Sequence, residues 1–150
     1  MLKLNETSEQ SILNMLVEHK SITSQQLKQI ETLSREGGKS KLETSFELNI
    51  TDTSKIVNVL SEAYSLPKVE LKKIVITDKI KQLAALRYLR ENIIVPFEFT
   101  SEIIKVAIPD SSKLGLIKNI KNITQLEPEL YASSLTEIDN FYKRLENRKN

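Results

Sequence analysis

Cysteine is absent from this chain of 150 residues, histidine occurs once, and only three glycines and four prolines interrupt it. Without cysteine there is no disulfide framework, no cysteine-ligated zinc site and no thiol nucleophile. The single histidine, His19, leaves any metal site to carboxylates and offers a hydrolytic serine only one base. No Gly-x-Ser-x-Gly string frames such a serine. Long hydrophobic runs are missing as well: no apolar stretch approaches the ~20 residues of a membrane helix. The opening residues, Met1 to Glu6, carry no run of signal-peptide length, so the expectation is a cytoplasmic protein without direct membrane insertion. An excess of one charge is lacking too. The 22 basic and 20 acidic residues give a net charge of +2, which argues against the clearly basic face that nucleic-acid binding needs. Lys68, Lys72 and Lys73, and Lys113, Lys118 and Lys121, read as solvated faces.

What is present suffices for a fold. Hydrophobic residues make up 39% and charged residues 28%, enough for one domain or two small packed subdomains. The first part reads as helices. Ile12, Leu13, Leu16 and Val17 form a helical stripe ending near Lys20. Thr23 with Gln26 three residues on is a capping-box pattern that announces a second helix bearing Leu27, Ile30 and Leu33. Gly37-Gly38 breaks the pattern. Leu42 and Phe46 mark a short third helix, and Thr51 or Asp52 caps a fourth with Ile56, Val57 and Leu60 inward. Leu66-Pro67 ends it, because proline disfavours helix in the residue before it.

Beyond Leu66 the period changes. Val69 to Leu71 is expected as a short strand, and Thr77 or Asp78 opens helical turns reaching about Asn92. Val95, Phe97 and Phe99 alternate as one strand face, and Pro96, which cannot donate to a ladder, marks an edge or a bulge. Thr100-Ser101-Glu102 has hairpin length, with Ile104, Val106 and Ile108 alternating on the return. Asp110 or Ser111 caps a helix to about Ile123, Leu126 to Ala132 is another strand, and Ser134 with Glu137 is a capping box for the last helix. The expected fold class is therefore α+β. A helical subdomain of about four helices (1–66) precedes a small β-α-β-β-α-β-α subdomain (67–150).

None of the motifs carries catalysis. Gly37-Gly38-Lys39-Ser40 invites a phosphate-loop reading, but the earlier glycine that loop requires is Leu33, which lies on a helix. His19 sits at a helix end, and its neighbour Glu18 cannot share its face. Phe97, Phe99 and Tyr88 would suit a base-stacking platform, yet Phe97 and Phe99 share a face with Val95 and read as core.

The strings Leu66-Pro67-Lys68-Val69-Glu70-Leu71, Val95-Pro96-Phe97, Ile104-Lys105-Val106-Ala107-Ile108-Pro109-Asp110 and Leu130-Tyr131-Ala132-Ser133 resemble, in order and spacing, a known pattern. It is that of the N-terminal domain of type II secretion and type IV pilus assembly ATPases, the MshE/GspE N-terminal family. The resemblance covers Ser65 to about Leu145 well and the preceding helices more loosely. It implies a domain that docks a motor to a membrane-platform subunit, here lacking the motor's own nucleotide-hydrolysis motifs.

Some members of that family bind cyclic di-GMP through tandem Arg-Leu-Gly motifs separated by a five-residue spacer. Here the copies would begin near Ser11 and near Ser40 or Lys41, with Arg35 to Lys39 as spacer. Ser11-Ile12-Leu13 stands for the first Arg-Leu-Gly, and Lys41-Leu42-Glu43 is the best the second copy offers. The later motif glycines fall at Lys20 and Asn49 and the closing glutamines at Ser34 and Ala63. Arginine stacks on a base and pairs bidentately with phosphate or guanine, which serine and lysine cannot both do. The resemblance thus implies a non-enzymatic adaptor whose cyclic di-GMP binding is lost, needing no cofactor and held peripherally at the inner membrane by a protein partner. The alternative is a sensing module that keeps a weakened nucleotide site at Arg35, Lys41 and Asn49. A helical nucleic-acid binder ranks last, on the charge balance.

Overall fold

The computed structural model describes residues 6–147. The chain is α+β, as the patterning implies. Four helices come first: α1 (Glu6–Glu18), α2 (Ser24–Gly37), α3 (Lys41–Glu47) and α4 (Thr53–Tyr64). Their local chemistry repeats at an offset of 29 residues. Lys20 and Asn49 both take the left-handed conformation, with φ of 62° and 56°. Lys20 N–H donates to Val17 O and Asn49 N–H to Phe46 O, each at 3.0 Å. Ser21 N–H then reaches Leu16 O at 2.8 Å, and Ile50 N–H reaches Ser45 O at 3.0 Å. Three residues after each left-handed position comes a cap: Thr23 Oγ1 accepts Gln26 N–H at 3.0 Å, and Asp52 Oδ1 accepts Lys55 N–H at 2.9 Å. Gln26 completes the expected box by accepting Thr23 N–H at 2.9 Å. Two helix–turn–helix units of the same design are joined by the turn at Gly38, whose φ of 67° glycine adopts without penalty.

After α4 the chain runs through Ser65, also left-handed (φ 55°), into the α/β half. Here the expected Val69–Leu71 strand is not formed. Only Lys68 bridges in parallel to Ala132, with Val69 N–H on Ala132 O at 3.1 Å. Leu71–Lys73 is instead a 3-10 turn, because the Arg144 guanidinium donates to Leu71 O at 3.0 Å and Ile74 O at 2.7 Å. The helical stretch before Asn92 is two short helices, α5 (Asp78–Ala84) and α6 (Arg87–Glu91), the first capped by Thr77.

The sheet is three-stranded, in the order β1 (Val95–Phe99), β2 (Ile103–Ile108), β3 (Glu127–Ala132). β1 and β2 are an antiparallel hairpin; β2 and β3 are parallel, Ile103 facing Glu127 through to Ile108 facing Ala132. The bulge signalled by Pro96 is present: Pro96 faces Val106 and Glu98 faces Lys105, leaving Phe97 as the extra residue. Alternation therefore breaks there, and Val95, Pro96 and Phe97 are all buried. Asp110 caps a 3-10 stretch, Ser111–Leu116, before α7 (Ile117–Thr124), in place of one continuous helix.

Ser134 Oγ accepts Glu137 N–H at 3.0 Å at the start of α8 (Leu135–Asn147). The Glu137 carboxylate does not return to Ser134 but turns to Lys72 N–H at 3.4 Å. Ile138, Phe141, Tyr142 and Leu145 form the buried face of α8. The Tyr142 hydroxyl donates to Ile94 O, and burial pushes it above the ordinary phenol range against the pull of Arg90. Apolar side chains of both halves, from Ile12 and Leu60 to Ile104 and Phe141, form one buried cluster.

Candidate functional site

The short turn between α2 and α3 brings the end of one helix beside the start of the next, and α1 closes the third side. The result is an open cleft of about 630 Å³ lined by Glu6, Glu31, Ser34, Arg35, Lys39 and Lys41. Two of the three residues proposed for a weakened nucleotide site, Arg35 and Lys41, meet here. Asn49 does not line it: it lies in the α3–α4 turn and is used for its left-handed backbone.

The cations of the cleft are partly engaged. Lys39 Nζ pairs with Glu47 at 2.5 Å, and that carboxylate holds the ammonium above its ordinary range. Lys41 Nζ donates to Gln10 Oε1 at 2.7 Å. Arg35 has no ion pair or hydrogen bond among the described residues and is the one cation free to meet an anion. The Ser34 hydroxyl donates to Lys39 O at 2.5 Å, tying the α2–α3 turn to α2.

Beneath Lys41 lies a group that motif reading missed. Glu9 on α1 is only 2% exposed. Burial raises its pKa, offset by the Ser40 hydroxyl and the Lys41 N–H that it accepts at the start of α3, while Glu43 nearby adds repulsion. Its Oε2 has no hydrogen-bond partner among the described residues. The signal was legible: Glu9, Ile12, Leu13 and Leu16 recur as one helical face, so the apolar stripe of α1 begins with a carboxylate. Glu9 is thus a buried acid packed under the start of α3, outside the cleft lining.

The remaining residues singled out in the sequence take other roles. Ser11 lies in a shallow depression with Gln10, Asn14 and Lys41, and Ser40 caps α3 through Glu43 N–H at 3.1 Å. His19 is exposed at the end of α1, its Nε2 2.9 Å from the Tyr64 hydroxyl and its ring edge-on to Tyr64. The suggested aromatic platform is not formed: Phe97 packs edge-on against Tyr131, and Tyr88 accepts from Asn119 Nδ2 at 3.0 Å. No group of three His, Asp or Glu residues able to hold a metal occurs among the described residues. No helix among them is long and apolar enough to cross a membrane.

Comparison with protein families decides the identity. The MshEN domain matches residues 64–149, more than half of the chain. The chain belongs to the MshEN domain family. It has the architecture of the N-terminal domains of secretion and pilus assembly ATPases. A structure of MshE with cdg matches 89% of this chain and 97% of that one, with 17% identity and a TM-score of 0.61. Two crystal forms of the N-terminal domain of XpsE match 96% of the chain at 20% identity. They cover 98% and 99% of their own length, with TM-scores of 0.59 and 0.52. At these identities the likeness is one of fold. No curated protein matches by sequence. The MshEN match covers the α/β half, from which the strand strings come, whereas the two helix–turn–helix units are related to these structures through shape.

Proposed function

We propose that this MshEN domain is a non-enzymatic adaptor and regulatory domain of a type II secretion or type IV pilus assembly system, acting by protein–protein contact. The observation that carries the reading is the family match over residues 64–149, in a chain whose cleft offers one cation, Arg35, without an ion pair among the described residues. The partner is a membrane-platform or motor subunit, and the domain works in the cytoplasm, held peripherally at the inner membrane through it. Neither nucleic acid nor cyclic di-GMP is required. Affinity capture with the full chain from detergent-solubilised membranes tests this. Enrichment of a secretion or pilus component is expected, and its absence would contradict the reading.

A second reading has its own observation. Arg35 and Lys41 converge on the cleft, and Lys20 and Asn49 keep the left-handed backbone that the motif glycines would adopt. A weakened nucleotide-sensing site would use Arg35 and Lys41 on the phosphates, with Asn49 shaping the second turn. Ser11 in the first copy and Ser40 or Lys41 in the second lack the combined stacking and bidentate contacts that arginine would supply. Titration calorimetry with cyclic di-GMP, the ligand named with MshE, is expected to show no micromolar binding. Micromolar or tighter affinity would replace the adaptor reading with this one.

A further inference from the structure

The buried face of α1 consists of Ser8, Glu9, Ile12, Leu13, Met15 and Leu16, so one ionisable group is packed into an otherwise apolar contact. The Glu9 carboxyl is satisfied on one side only. The Ser40 hydroxyl and the Lys41 N–H donate to it where α3 begins, while Oε2 has no hydrogen-bond partner among the described residues. An ionised carboxylate held out of water is costly unless both oxygens are hydrogen-bonded, and a neutral carboxyl is far less so. The packed arrangement therefore suits the neutral acid. The ionised form needs water at Oε2, which closure of α1 on α3 denies it.

The surroundings do not offset that difference. Lys41 attracts the carboxylate and Glu43 repels it, and both charges come from α3. The Lys41 ammonium is itself turned to Gln10 Oε1 at 2.7 Å. On α1 the nearest acid in sequence, Glu6, is exposed. The other elements against α1 bring no titratable side chain inward: α2 buries Ile30 and Ser34, and α4 buries Ile56 and Leu60. The 3-10 stretch Ser111–Leu116 also packs on α1 and buries none of its residues. Asp110 at its head is directed at Ser112 N–H, 2.8 Å from Oδ1.

The same contact sits at a lever. Ser40 both donates to Glu9 and caps α3 by accepting Glu43 N–H at 3.1 Å. Lys41, the first residue of α3, lines the cleft and the shallow depression beside Gln10. The preceding turn stays with α2 through Ser34 and Lys39 O. A shift of the start of α3 away from α1 thus moves Ser40 and Lys41 together and leaves α2 in place. We infer that the contact between Glu9 and the start of α3 is a proton-operated latch on the edge of the cleft. The neutral carboxyl keeps α3 seated on α1; when its proton passes to solvent, water enters beside Oε2 and the Ser40–Lys41 corner moves out. Burial, the largest influence on this carboxyl, pushes its titration upward in agreement. The latch belongs to the chain itself and stands whatever partner the domain contacts.

The test is an NMR titration of the full chain from below the ordinary carboxylate range to neutral pH, with hydrogen exchange measured alongside. The Glu9 carboxyl carbon is expected to titrate above that of an exposed acid such as Glu36, and the Ser40 and Lys41 amides to shift with the same midpoint. Exchange of the α3 amides, corrected for its intrinsic pH dependence, is expected to quicken across that midpoint. In Glu9→Gln, which keeps the shape and loses the titration, α3 should exchange slowly throughout. Lys41→Gln should raise the Glu9 midpoint and Glu43→Gln lower it, because one removes an attracting charge and the other a repelling one. These two variants keep the carboxyl and read the latch even where Glu9→Gln does not fold. Titration of Glu9 together with the exposed acids overturns the latch. So does a raised midpoint across which α3 exchange does not change, which would leave Glu9 a buried acid without a moving part.

Discussion

Lys20 and Asn49 occupy left-handed backbone where glycine would be unstrained. A lysine there bears a steric cost of roughly 1–2 kcal/mol, whereas asparagine tolerates the conformation better. Replacing Lys20 by glycine is expected to raise stability by about 0.5–1 kcal/mol after the entropy that glycine adds to the unfolded chain. Asn49→Gly should gain less, and chemical denaturation of the two variants checks the order. Glu9 makes a second residue-scale prediction. Its folded pKa lies above the unfolded one, so between the two values the folded chain holds the extra proton. Stability therefore falls as pH rises through that interval, and the penalty is complete above the folded value. Glu9→Gln should melt at a higher temperature than the wild type at neutral pH, and the difference should close below the ordinary carboxylate range. A difference that persists unchanged at low pH would show that burial of the charge is not its source.

At the scale of elements, what could be read in advance was what local chemistry decides. Thr23, Asp52, Thr77 and Ser134 cap helices from their own sequence neighbourhood, and Pro96 signals a bulge because a proline offers no donor. The Val69–Leu71 strand expected from the sequence does not form, because its alternative is imposed from about 70 residues away: Arg144 on α8 takes the carbonyls of Leu71 and Ile74. Arg144→Ala is accordingly expected to destabilise the chain by about 2 kcal/mol, the range for hydrogen bonds to a charged group. Thermal and denaturant unfolding would measure it, and a loss below about 0.5 kcal/mol would mean the turn forms without that tie. The candidate site was half legible for the same reason. Arg35 and Lys41 flank a short turn, so their nearness follows from local structure. Asn49 belongs to the next turn, and Glu9 meets Ser40 and Lys41 only through packing of α1 on α3.

At the scale of the whole molecule, one apolar cluster joins two helix–turn–helix units to a three-stranded sheet. The cleft of the helical half gathers Arg35, Lys39 and Lys41 beside Glu6 and Glu31. A groove of the α/β half presents Val75 and Lys79 to solvent beside Phe97 and Phe99. Chain patterning alone could not find that groove, because Val75 sits within an apolar run, Ile74-Val75-Ile76, that reads as core. The central claim is that contact with a secretion or pilus component needs no nucleotide. Its most direct measurement is quantitative capture by the full chain from solubilised membranes, with and without added cyclic di-GMP. Equal enrichment of such a component under both conditions is the expected result; no enrichment, or enrichment only with the nucleotide, would contradict the account.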